Sequence, residues 1–261
     1  MLQFIEGIGA KAIKTTSSVF EALWFMSLCI VYMFLPSSYN PAMIMVLIKQ
    51  IYFTAVGILP IFITMSVIFG TIIIGVVISL ATEYNLQDKI GSIIITFVVD
   101  EFAPFFTALL ISLRSSTAVN TEIAVMKVNK ELNTLKEYNI DLISYLFIPR
   151  IVSGVISVTS LSALFAIIML SSGYIFAFFT MGMDSYSYKM LLFHAIEIKD
   201  IMILIFKGIA FGFVTMVIPI YSGLNAFDSY TAIPISVLNG MVKLFISLFV
   251  IEVLSLVLQL L

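Results

Sequence analysis

The chain of 261 residues is 61% hydrophobic and only 11% charged, with a formal net charge of −2 at pH 7. Soluble domains carry about 25% charged residues, and a mean hydropathy of +1.16 would leave far too much apolar surface in water. A soluble globular enzyme, a nucleic-acid-binding domain with its basic footprint and a disordered chain are therefore excluded, and lipid is the main solvent.

In chain order, Leu2, Ile5, Ile8, Ala12 and Ile13 share one helical face, and Lys11, Lys14 and Thr15 lie on another. This pattern predicts an interfacial amphipathic helix over residues 1–20. No A-x-A cleavage signal follows, so it does not read as a secretory leader. Ala22–Ile48 is free of charge but split by Pro36-Ser37-Ser38-Tyr39-Asn40-Pro41. The first part leaves about 14 residues, short for a ~30 Å crossing. It reads as a helix that dips in, and Ala42–Val56 as a connecting helix that returns or lies flat.

Ile51–Thr82 breaks near Gly57 and Pro60, which places a span at about 59–82. Residues 83–88 form a polar turn. The next span covers about 90–113, with Asp100 and Glu101 near its middle. Ile151–Met183 is uncharged and about 50 Å long as a helix. It must tilt, protrude, or break near Ser171-Ser172-Gly173. Residues 184–200 read as a polar loop, Ile201–Tyr221 as a span holding Lys207, and Ser222–Pro234 as a loop. Ile235–Leu261 is a last span, holding Lys243 and Glu252.

The expected fold is an all-α integral membrane protein. One domain covers 1–261, with five or six helices in the membrane. Residues 114–150 hold Arg114, Lys127, Lys130, Lys136 and Arg150, which marks that stretch as cytoplasmic. Alternation then puts 83–89, 184–200 and the C-terminus outside, and 222–234 inside.

Within the polar stretch, Ser115, Ser116 and Thr117 offer N-caps. Val125, Val128, Leu132 and Leu135 recur at helical spacing. Glu122, Lys127, Lys130, Glu131, Lys136 and Glu137 occupy the remainder. One cytoplasmic amphipathic helix is expected over 115–138. Lipid headgroups, the rest of the chain or a protein partner must cover its apolar stripe.

Four charges fall inside apparent spans: Asp100, Glu101, Lys207 and Glu252. A central Lys or Asp costs ~2.5–3.5 kcal/mol on the insertion scale. Lys207 therefore needs an acidic neighbour, Glu101 first and Glu252 second. A structural ion pair and a transport role are both open. Lys243 can snorkel to the cytoplasmic surface. A single cysteine, Cys29, and a single histidine, His194, argue against a disulfide or a multi-histidine metal site. No phosphate-binding GxxxxGK[ST] occurs, so the chain carries no ATPase loop of its own.

Leu113 to Arg150 reads LRSSTAVNTEIAVMKVNKELNTLKEYNIDLISYLFIPR. It resembles the signature of the MlaE (YrbE) permeases of ABC lipid transporters. The matching positions include Arg114, Glu122, Ile123, Met126, Lys127, Val128, Leu135, Asp141, Tyr145, Pro149 and Arg150. Upstream, Asp100-Glu101-Phe102-Ala103-Pro104 is similar to the family's RE-[LF]-GP. Downstream, Asp200, Lys207, Phe211 and Gly212 match in order, and Gly57, Pro60 and Gly70 match the opening span. Departures are Asp100 in place of the family's arginine, Asn129-Lys130-Glu131 in place of TEQ, and Leu142 in place of a proline.

The resemblance implies a non-catalytic permease subunit that works as a homodimer in the cell inner membrane. Residues 115–138 would be a coupling helix docking on a separate ATPase, which alone would hold ATP and Mg. Docking would use Val125, Met126, Val128, Leu132 and Leu135, with Glu122 and Lys127 at the rim. An MCE-domain lipid-binding protein would sit on the outer face, with the C-terminus periplasmic. The cargo would be phospholipid or a related lipid moved between inner and outer membranes. No cofactor is expected on this chain, and no nucleic acid. A different reading is an ion-coupled secondary transporter using Glu101, Lys207 and Glu252 as a relay. An intramembrane enzyme lacks a nucleophile–base set in the sequence.

Overall fold

The computed structural model describes residues 20–36 and 39–260. Among them every regular element is helical, and five helical stretches are long and apolar enough to cross a membrane. The interfacial helix expected over 1–20 lies, apart from Phe20, outside the described residues.

The short apolar helix α1 (Phe20–Phe34) precedes α2 (Pro41–Thr54), where Pro41 stands in the first turn and needs no amide partner. A single tight turn at Val56–Ile58 then leads into α3 (Leu59–Glu83). Pro60 accounts for that turn: it removes an amide donor, yet in the first turn of α3 it costs little. The result is one helical stretch from Met43 to Glu83. The expected break at Gly57 and Pro60 is thus only local.

The second stretch runs from Ile90 to Val128 without a break. It comprises α4 (Ile90–Ile95), a π-helical segment (Thr96–Phe102), α5 (Ala103–Ile111), a second π segment (Ser112–Ser116) and α6 (Thr117–Val128). The expected helix over 115–138 is corrected here. Its first half is the end of this span. It then stops at Asn129–Lys130, where Lys130 adopts a left-handed φ of 62°, and resumes as α7 (Glu131–Glu137).

A third π segment (Ile143–Phe147) opens α8 (Ile148–Met181), which runs unbroken through Ser171-Ser172-Gly173. The two serines return their hydroxyls to Ile167 and Met169 carbonyls. Gly173 instead admits the Ile74 side chain of α3, and Gly70 of α3 admits Met169 and Ser172. Small residues here let two helices approach in a medium that supplies no hydrophobic drive between them.

The polar loop expected at 184–200 is largely helical. Asp184 caps α9 (Ser185–Ala195) by accepting from the Tyr186 and Ser187 amides, and a Glu197–Asp200 capping box starts α10 (Ile198–Leu224). These caps satisfy end amides that a loop would leave to water. The last helix is α11 (Ala232–Leu260).

α8 and α10 form the centre, with α3 and α2 against α8 and with α6 and α11 against α10. Gly208 and Gly212 of α10 meet Thr159, Val155 and Gly154 of α8. Their G-x-x-x-G spacing is the sequence signal for this close crossing. By contrast, only 11% of the apolar window of α11 is buried. The bundle therefore has an α7 end, with the 225–231 loop, and an opposite α9 end, with the 84–89 turn.

Candidate functional site

Two constellations stand apart from the apolar bundle. The first lies toward the α9 end. Lys207 sits nine residues into α10, Glu101 eleven into the second stretch, and Glu252 eight before the end of α11. All three are about 12–17 Å along their helices from that end. The Lys207 ammonium donates to Glu101 and lies 3.3 Å from Glu252. Gln259 of α11 donates to the other Glu101 oxygen at 2.9 Å. Side-chain exposures of 4% for Lys207, 16% for Glu101 and 14% for Glu252 mean that lipid and water barely reach the cluster.

The cluster ties three helices together with two acids around one base. Sequence reasoning named Lys207 and both acids but missed Gln259. Its signal was the polar face Glu252, Ser255 and Gln259 at i, i+3 and i+7 on a lipid-rich helix. Glu101 lies on the π segment. The wider turn sets side-chain directions that ordinary helical spacing does not give. Asp100 beside it is 3% exposed, and one of its oxygens has no hydrogen-bond partner. Alongside the cluster, a groove of about 440 Å³ is lined by Lys199, Met202, Phe206, Lys207, Leu258 and Gln259. Its walls are apolar and its polar groups are few, which suits an amphiphile.

The second constellation is at the α7 end. Lys127 donates to the Leu224 carbonyl at the end of α10 at 2.7 Å. Tyr230 in the following loop donates to the Asn129 side chain at 2.8 Å. Deeper, Asn120 lies within hydrogen-bond reach of Ser236, whose hydroxyl and that of Ser222 each donate to the other's carbonyl. Gly223 and Gly240 keep α6, α10 and α11 close enough for this. The joint between α6 and α7 is thus tied to the α10–α11 loop.

The candidate docking residues are placed unevenly by this geometry. Val125, Met126, Lys127, Val128 and Leu135 are half-buried. Leu132 is 7% exposed and packs in the bundle core, with Met126 and Leu135 against that core. Part of the apolar stripe is therefore covered by the chain itself. Lys127 is engaged with Leu224 rather than standing free. Glu122 pairs with Arg150 of α8 at 2.6 Å, and Arg150 also donates to the Leu146 carbonyl. Arg114 stacks over Phe53 and packs on the bare face of Gly57. A side chain at residue 57 would occupy the guanidinium position.

Comparison with known sequences fits this arrangement of motif residues. The family model described as permease MlaE matches residues 47–258. A probable ABC transporter permease protein of Rickettsia felis is 25% identical over 228 residues, covering 85% of each chain. The intermembrane phospholipid transport system permease protein MlaE of Haemophilus influenzae is 27% identical over 142 residues, 54% of each chain. A probable ABC transporter permease protein of Synechocystis is 22% identical over 167 residues, 64% of each chain. With the family match spanning most of its length and five apolar helices of membrane-crossing length, this chain belongs to the MlaE permease family of multi-pass membrane proteins.

Proposed function

We propose that the chain is the membrane permease of an ABC transporter that moves phospholipid or a related lipid between inner and outer membranes. The chain is the non-catalytic subunit; a separate ATPase binds ATP and Mg. It works as a homodimer in the inner membrane, with α7 cytoplasmic, the C-terminus periplasmic and an MCE-domain lipid-binding protein on the outer face. The relative from Haemophilus influenzae, named for intermembrane phospholipid transport, supports the cargo class.

One observation carries the mechanism. Glu101 lies on the continuous helical stretch Ile90–Val128, whose far end leads directly into the α6–α7 joint. The 27 residues from Glu101 to Val128 make a lever about 40 Å long. An ATPase that favours one position of the α7 end shifts the population of arrangements at the Lys207 cluster. The largely uncovered face of α11 is suited to a second copy. Half-buried Val125 and Val128, with exposed Tyr138, remain the apolar part of the ATPase-facing surface.

The test is reconstitution into proteoliposomes with and without the partner ATPase, followed with a fluorescent phospholipid. Lipid movement should require the ATPase and ATP. Proton-gradient-driven movement by this chain alone would replace the proposal with the ion-coupled reading, in which Glu101, Lys207 and Glu252 act as the relay.

A further inference from the structure

Asp100 and Glu101 are neighbours on the first π-helical segment, Thr96–Phe102. Glu101 is fully engaged: one oxygen accepts from Lys207 and the other from Gln259. Asp100 is buried, and its Oδ1 has no hydrogen-bond partner. The bases whose charge reaches it are Lys207 and Lys199 of α10, and the other acids are Glu101 beside it and Asp200 of α10. Among the described residues neither base lies within ion-pair distance of it. An idle carboxyl oxygen in the interior is costly and calls for a role.

Successive residues of a helix point about 100° apart, so both acids cannot face Lys207 in one register. The backbone holds a second register within reach. A π segment carries an extra residue within an otherwise α-helical stretch. Pro104 follows it in the first turn of α5 and has no amide to return to the Asp100 carbonyl one turn back. The α-helical bonding is thus already interrupted at Asp100. On the N-terminal side α4 is held, with Gly91 packed on Leu191 and Ala195 of α9. On the other side α5 has no exposed residue, and the hydroxyl of its one polar side chain, Thr107, has no partner to lose. Moving the extra residue one turn into α5 rotates the residues it passes by about 100° and shifts them by about 1.5 Å. Each takes the place now held by its successor, so Asp100 comes to stand where Glu101 stands.

We propose that Asp100 and Glu101 are alternative partners of Lys207, exchanged by this one-residue shift of the π turn. Lys207 keeps a carboxylate in both registers, because its flexible stem makes up the methylene that aspartate lacks. The Gln259 bond to Glu101 belongs to the present register alone. The exchange therefore unties α11 from the second stretch without stranding a charge at membrane depth. In the transporter proposed above, on which this use of the switch rests, it is the step by which the far end of the lever releases α11. Asp100 is then a positioning residue that acts through Lys207.

The test is solid-state NMR of the full chain in lipid bilayers, with isotope-labelled lysine and aspartate. It reads through-space transfer between lysine Nζ and aspartate carboxyl carbons. No lysine–aspartate ion pair occurs among the described residues, so the background is low. Glu101→Gln should favour the second register and raise a lysine–aspartate contact several-fold over the wild type. Asp100→Asn should abolish that contact, and Lys199→Gln should leave it. Gln259→Ala removes only the bond particular to the present register, keeps all the charges and should raise the same contact. In thermal unfolding, Asp100→Asn alone should leave the midpoint unchanged or higher, yet lower it by several degrees when added to Glu101→Gln. Absence of the contact in both Glu101→Gln and Gln259→Ala would overturn the switch. So would its loss in Lys199→Gln, or midpoint shifts that simply add. ATP, the ATPase and lipid movement are not read here, so failure of the switch leaves the permease reading standing.

Discussion

Glu122 on α6 and Arg150 on α8 are joined by a 2.6 Å ion pair in which the arginine is almost wholly buried and the carboxylate half exposed. Both are family-motif positions, yet their pairing is invisible in the linear motif. A guanidinium stripped of water needs every partner it can reach. Arg150 has two, Glu122 and the Leu146 carbonyl, and its Nε has none.

Glu122→Gln should therefore lower stability by up to about 1.5–3 kcal/mol, the range for a hydrogen bond to a charged group. The half-exposed side of the pair keeps the loss below that of a fully buried pair. Glu122→Gln with Arg150→Met should recover most of it. Thermal unfolding of the detergent-solubilised protein reads both, and an unchanged midpoint in the single variant would remove the pair from the stabilising contacts.

Lys207→Met should leave two carboxylates without their base at membrane depth, with a loss of about 3–5 kcal/mol. Adding Glu101→Gln should recover only part, because Glu252 stays unpaired. The triple substitution with Glu252→Gln should restore stability. If the charges serve packing alone, the triple variant also restores lipid movement. If they act in transport, it folds and does not transport. A Lys207→Met protein with normal stability and transport would refute both roles.

Two glycine substitutions should differ sharply. At Gly212 even a Cβ would lie 2.5 Å from the Val155 Cα across the α8–α10 crossing. Gly212→Leu should drive its side chain into the α8 backbone, push the helices apart and cost at least about 3 kcal/mol, the upper end of the overpacking range. Gly182 has a φ of 61° and open space around it. Gly182→Ala should cost only the left-handed strain, about 1–2 kcal/mol. Comparable losses at the two sites would argue that the crossing is loose.

Tyr230→Phe removes the hydrogen bond to Asn129 and should cost about 0.5–1.5 kcal/mol. On the lever reading, ATPase binding should survive while ATP-dependent lipid movement falls, because the α6–α7 joint is released from the α10–α11 loop. Unchanged transport would show that the loop is not part of the coupling path.

The Ser187 hydroxyl, with the Ser187 and Tyr186 amides, holds the exposed Asp184 carboxyl below its ordinary value. A depressed pKa means the cap is fully present above the unfolded carboxylate value and is lost as pH falls through the folded one. Amide exchange at Tyr186 and Ser187 should thus speed up in acid beyond its intrinsic rate. Asp184→Asn should remove that extra acid dependence.

Much of this was legible in the residue order. Charge-free runs marked the apolar helices, because hydrocarbon tolerates only backbones that bond to themselves. Lys207 had to find an acid, because an isolated ammonium is too costly there. The motif residues 113–150 pointed to the family before any contact was known. Other features were hidden for stated reasons. Residues 184–200 read as loop because polar composition looks alike in a loop and in a short capped helix. For the run 151–183, tilting, protruding and a break near Ser171-Ser172-Gly173 all stayed open, because residue order does not say whether serine returns its hydroxyl to the helix or glycine serves a crossing.

The sequence by itself determined an all-α chain of membrane-crossing helices, with a base deep in one of them and two acids to answer it. Period, length and charge cost are local quantities, so they can be read from residue order. Only the tertiary structure decided that Lys207 meets both acids and Gln259 at once. It also decided that Glu122 serves Arg150, and that the apolar stripe of 125–135 is partly consumed within the chain. Those outcomes depend on which helices lie side by side, and at Glu101 on a π-helical turn that re-aims the side chain. One residue of register changes the face on which a side chain stands, and packing between distant segments sets that register.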